Sequence, residues 1–165
     1  MEPGEALGIA AQIAVTLAGF AGVVVVFRRE SIHEWSPADK LRLRLLLTNS
    51  ILPLVFCMIG ILLLTIRPPP TGIWRWCSVF ALGVSLLFAI PMTKMFRRLN
   101  LREIQSGRFT RIVFYLFGAF GIAANLLQLY NAALLGAFWP FFCGVVVQLL
   151  TGTVQFARMI LLRPE

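Results

Sequence analysis

Residues 36–70, SPADKLRLRLLLTNSILPLVFCMIGILLLTIRPPP, decide how this chain folds. Ser36 reads as the N-cap of a helix, Pro37 as its first residue, and Asp39 places a carboxylate near the positive end of the helix dipole. Lys40, Arg42 and Arg44 make the first turns wet. From Leu45 to Ile66 no charged residue follows, and a helix of that length rises about 33 Å, enough to cross the hydrocarbon of a bilayer. Pro53 lies inside the run, lacks an N–H and crowds the carbonyl of Asn49, so a kink is expected there, with Asn49 and Ser50 answering the freed backbone groups. Pro68, Pro69 and Pro70 then end the helix.

The same grammar recurs along the whole chain. Apolar runs cover residues 6–27, 45–66, 73–94, 112–135 and 141–162, and they leave no stretch long enough for a water-soluble domain. Hydrophobic residues make up 59% of the 165 residues and charged residues 13%, against about 45–50% and 25% in soluble domains. The expected fold is all-α: one integral membrane helical bundle of five transmembrane helices spanning residues 1–165. The first run is too long for a cleaved signal peptide, and it follows Glu2 and Glu5 where a signal needs positive charge. Trp74 and Trp76 open the third run at interface depth, and Pro91 is placed to bend its exit. Residues 95–105 read as a short interfacial helix or an extension of the third span, stopped by Ser106 and Gly107. Residues 136–140, GAFWP, make so short a turn that the last two spans should pack side by side as an antiparallel hairpin.

Charge sets the expected orientation. Of fifteen Lys and Arg residues, only Arg67 and Arg75 fall outside the first basic loop (28–44), the second (94–111) and the C-terminal end. Cytoplasmic loops carry such an excess, so the N-terminus is expected outside and the C-terminus in the cytoplasm, in a cell's inner (plasma) membrane. The net charge of +8 is therefore a matter of topology and lipid, and nucleic acid is not expected as a partner. Arg28, Arg29, Arg97, Arg98 and Arg102 are the candidates for contact with anionic lipid headgroups. Cys57, Cys77 and Cys143 match no metal template and read as small buried hydrophobes, with a Cys77–Cys143 disulfide left open.

A polar seam is the first candidate site. Asn125, Gln128 and Asn131 recur every three residues on the fourth span. Gln148, Thr151, Gln155 and Arg158 recur at three- and four-residue spacing on the fifth, along one helix face. Folded at the short turn, Gln128 should reach the depth of Gln148, and Asn125 that of Thr151. Carboxamides in hydrocarbon need partners, so the seam reads as hydrogen bonding between helices or, more sharply, as the lining of a polar path. Arg158 would close its inner end by snorkelling to the surface. The second candidate is a packing face on the first span. There Ala14, Ala18 and Gly22 have the spacing that lets helices approach closely, and Gln12 and Thr16 add hydrogen-bonding capacity, with Gly118 and Gly121 as internal partners if the face is not a subunit interface.

Trp35 reads as an interface anchor, and His33, the only histidine, as a solvated loop residue. No carboxylate or histidine falls inside a span, and no Ser–His, Cys–His or paired-carboxylate set occurs, so no catalytic residue, metal or cofactor is expected. The run Thr16-Leu17-Ala18-Gly19-Phe20-Ala21-Gly22, then Arg28-Arg29, Trp35 and Asp39 to Arg44, resembles small uncharacterised bacterial multi-pass membrane proteins. That resemblance covers the first third of the chain and brings no activity with it. The function expected is that of a non-enzymatic membrane subunit, assembled with copies of itself or with a partner membrane protein. A channel or passive carrier lined by the seam is the alternative, and a lipid- or ligand-responsive effector the third reading.

Overall fold

A computed structural model describes residues 1–27, 35–66, 68, 70–98 and 108–161. Its long elements are five helices: α1 (Pro3–Phe27), α2 (Pro37–Thr65), α3 (Ile73–Arg98), α4 (Arg108–Tyr130) and α5 (Phe138–Leu161), with a π-helical turn, Asn131–Leu135, continuing α4. Each of the five is long and apolar enough to cross a membrane, the build of a multi-pass membrane protein. The start of α2 follows from its local chemistry. The Ser36 hydroxyl accepts a hydrogen bond from the Asp39 N–H at 3.1 Å, with Pro37 in the first turn.

Prolines inside helices leave them continuous. α2 runs through Pro53 and α3 through Pro91. Asn49 and Ser50 do not reach the carbonyl that Pro53 releases; each donates back to its own preceding turn, at Leu45 and Leu46, 2.8 Å in both cases. The released Asn49 carbonyl instead lies against Gly152 of α5. A Cβ added there would sit 3.4 Å from the Asn49 oxygen, so the absence of a side chain lets two backbones approach closely.

The core belongs to α1, α2 and α5, with α3 along one side. Its larger cluster joins Leu7, Ala10, Ala14 and Leu17 of α1 to Leu52 and Phe56 of α2, Cys77 and Ala81 of α3, and Phe141, Val145 and Leu149 of α5. A smaller cluster, Ala21, Trp35, Leu43, Leu46 and Met159, closes the basic end. Trp35 is thus buried among residues of α1, α2 and α5. Among the described residues, α4 contributes to neither cluster, and α5 packs chiefly on α2. The hairpin of α4 and α5 is real at its turn, but α4 is peripheral to the bundle. Cys57, Cys77 and Cys143 are free thiols, with Cys57 and Cys77 buried and Cys143 exposed, so the disulfide is absent. α3 extends to Arg98; the interfacial stretch expected after it lies outside the described residues.

Candidate functional site

The turn between α4 and α5 is built around one amide. Gly136, at φ +62°, donates its N–H to the Asn131 carbonyl at 2.8 Å and closes the widened π turn. That widening aims the Asn131 side chain forward. Its Oδ1 accepts from the Ala137 N–H at 2.9 Å, and its Nδ2 donates to the Ala137 carbonyl at 3.0 Å and to Ser78 Oγ on α3 at 2.7 Å. Asn131 is fully buried. Arg75, also on α3, donates to the Leu134 carbonyl at 3.2 Å, so a cation meets the negative end of the α4 dipole.

The predicted seam is only partly assembled. Gln128 is buried, but its Nε2 donates to the carbonyls of Pro140 and Phe141, at 2.9 and 3.3 Å. Gln128 therefore lies at the first turn of α5, not at the depth of Gln148. Gln148 turns to the other neighbour and donates to Ser85 of α3 at 3.3 Å. Asn125 and Thr151 bond within their own helices, to Gly121 and Val147, and so do not meet. The registers differ from the expected pairing: α5 packs more on α2 than on α4, and Gln128 meets α5 at its first turn.

Gln155 and Arg158 leave the seam altogether. Both are buried, at 1% and 7% exposure, at the basic end of the bundle. Arg158 is thus buried near the end of α5, the helix that packs chiefly on α2, rather than reaching out to a surface. Arg42 donates to Asp39 at 3.0 Å.

On α1 the predicted face divides. Ala14 is in the core and Ala18 half-buried, while Gln12, Thr16 and Gly22 are exposed. An i, i+4 row advances slightly more than one turn per step, so it winds off a single face. The inward row is Leu7, Ala10, Ala14, Leu17 and Ala21. The outward face holds Gln12, Thr16, Gly19 and Gly22, and nothing lies within 4 Å of where a Cβ on Gly19 or Gly22 would be. Gly118 and Gly121 have equally open surroundings and do not meet α1. Thr16 spends its hydroxyl on the Gln12 carbonyl, 2.8 Å away.

Of the lipid candidates, Arg97 and Arg98 end α3; Arg28, Arg29 and Arg102 lie outside the described residues, as does His33. Among the described residues no three His, Cys, Asp or Glu side chains gather as a metal would need. Sequence reading missed Ser78 and Ser85, the α3 partners of Asn131 and Gln148. Their spacing of two helical turns was the available signal, because it puts two hydroxyls on one face. It also missed the pairing of Arg42 with Asp39, reading Asp39 for the helix dipole and Arg42 for a wet turn. No family model, curated relative or solved structure matches the chain.

Proposed function

We propose that this chain is a non-enzymatic integral membrane subunit that self-associates through the outward face of α1. The observation that carries this is Gln12. It lies about 14 Å along α1 from Pro3, close to the middle of a bilayer, and it is exposed on the side away from the core. A carboxamide facing lipid at that depth is costly until another polar group covers it. Thr16, Gly19 and Gly22 beside it leave room for a second helix to come close.

A second copy of α1 suits that face. Copies share one orientation in the membrane, so a two-fold axis along the membrane normal sets the two Gln12 side chains at equal depth. A carboxamide both donates and accepts, so two of them satisfy each other. The weight of basic residues at one end supports a cytoplasmic C-terminus. The channel reading has less support, because Gln128, Asn131 and Gln148 spend their donors on backbone and serine groups.

Gln12→Leu should weaken the oligomer about fivefold, the worth of one hydrogen bond between membrane helices. Gly19→Leu, which blocks the approach itself, should separate the chains. Analytical ultracentrifugation in mild detergent or FRET between labelled copies in liposomes measures both. A parent chain that is monomeric at every protein-to-lipid ratio defeats the proposal.

A further inference from the structure

Gln128 and Gly144 mark a place where α4 touches α5, since a Cβ on Gly144 would collide with the Gln128 amide. From that contact the two helices run antiparallel toward the basic end. Their facing sides continue as Asn125, Gly121 and Gly118 on α4 and as Gln148 and Thr151 on α5, at spacings of three and four residues. At about 1.5 Å per residue, Asn125 lies about 4.5 Å beyond the contact and Gln148 about 6 Å, so their carboxamides share one depth. The contact itself stops there. Among the described residues, nothing lies within 4 Å of where a Cβ on Gly121 or Gly118 would be. α3 does not fill the space, since its residues 86–91 are exposed at every position. The helices therefore enclose a wedge that opens toward the basic end.

The attachments of α4 are all at its C-terminal end. Among the described residues, the hydrogen bonds that tie α4 and its π turn to the rest of the bundle are those of Gln128 to Pro140 and Phe141, Asn131 to Ser78 and Ala137, and Arg75 to Leu134. The helical ladder widens over Asn131–Leu135 and is interrupted before α5, and such element ends are where hinges lie. The apex of the wedge has an unfilled bond. Gln148 Oε1 has no donor among the described residues. Asn125 Nδ2 gives one hydrogen to the Gly121 carbonyl of its own helix, and an amide nitrogen carries a second.

We infer that α4 is a hinged flap, held open in this structure, that closes onto α5 by turning about residues 131–136. Closure brings Gly121 and Gly118 against α5, where the lack of side chains permits close approach. It also lets Asn125 give its second hydrogen to Gln148 Oε1. The gain is one hydrogen bond between helices, small enough for both arrangements to be populated. Opening exposes a polar mid-depth apex from the basic end, and closing hides it. The outward face of α1 takes no part, so this inference and the association through α1 can fail separately.

Pulsed electron paramagnetic resonance on the full chain in liposomes tests the flap, with Cys143→Ser so that the exposed thiol takes no label. Labels at Leu116→Cys and Thr153→Cys span the wedge, and labels at Val79→Cys and Tyr130→Cys report the hinged end; all four positions are exposed. The wedge pair should give two distances and the hinged pair one. Asn125→Leu and Gln148→Leu should each lower the ratio of short to long about fivefold, the loss of one hydrogen bond between membrane helices. Gly121→Leu, whose side chain enters open space in this arrangement, should fold and lose the shorter distance. A single distance across the wedge overturns the flap. So do two distances indifferent to both Asn125→Leu and Gln148→Leu, or two distances at the hinged end, which would mean that α4 moves as a whole.

Discussion

Replacing Asn131 with leucine should destabilise the folded chain by about 2–4 kcal/mol. Polar contacts between membrane helices are usually modest, because a helix separated from its neighbours finds other partners. Asn131 differs in what it serves. It holds both the N–H and the carbonyl of Ala137, the residue between Gly136 and the start of α5, where the helical ladder is interrupted. Leucine has the same number and branching of side-chain heavy atoms but leaves the Ala137 N–H without its acceptor, and Ser78 loses its donor as well. Ser78→Ala removes one of these bonds and keeps the hold on Ala137, so it should cost only about 1 kcal/mol. Titrating mixed micelles with a denaturing detergent, followed by helical ellipticity, ranks the two variants. Equal losses would mean that the grip on Ala137 contributes nothing.

The same residue shows where sequence reading reaches and where it stops. Long apolar runs of this length have one physical solution in lipid, a helix that satisfies its own backbone, so five long apolar helices were legible. So was the start of α2, because Ser36, Pro37 and Asp39 act within one turn. What was not legible is the rotation of each helix and the choice of neighbour. Asn131 was visible as a polar residue, but its partners on α3 and in the turn depend on a π-helical widening that has no local signature. Arg158 read as a surface residue because position along the helix was known and azimuth was not. Gly152 and the carbonyl freed by Pro53 belong to different helices, and only the packed bundle brings them together. In a membrane every helix face is apolar enough to be buried, so the hydrophobic pattern that orients a soluble helix carries little information. Polar residues then become the best guide to azimuth, and most of the seam's amides do point toward another helix or toward the turn.

Gly144→Ala should cost about 2 kcal/mol, and most of that cost should vanish once Gln128 is also made alanine. Gly144 lies on the face of α5 that Gln128 crosses to reach the carbonyls of Pro140 and Phe141. A Cβ on Gly144 would collide with Gln128 Nε2, with Cδ only 3.3 Å away. The amide must then swing out, losing both bonds inside an apolar contact where no water replaces them. Gln128→Ala alone gives up the same two bonds but opens the space. In that background Gly144→Ala should be neutral or slightly stabilising, since alanine suits a helix interior better than glycine by about 1 kcal/mol. The four-variant cycle measures the coupling directly, in the same mixed-micelle titration. Additive losses would place the two residues out of contact and return Gln128 to the depth of Gln148. Coupling of at least about 1 kcal/mol would make this amide a fastener between α4 and α5, and a side chain so engaged is a poor lining for a path that must bind and release a solute.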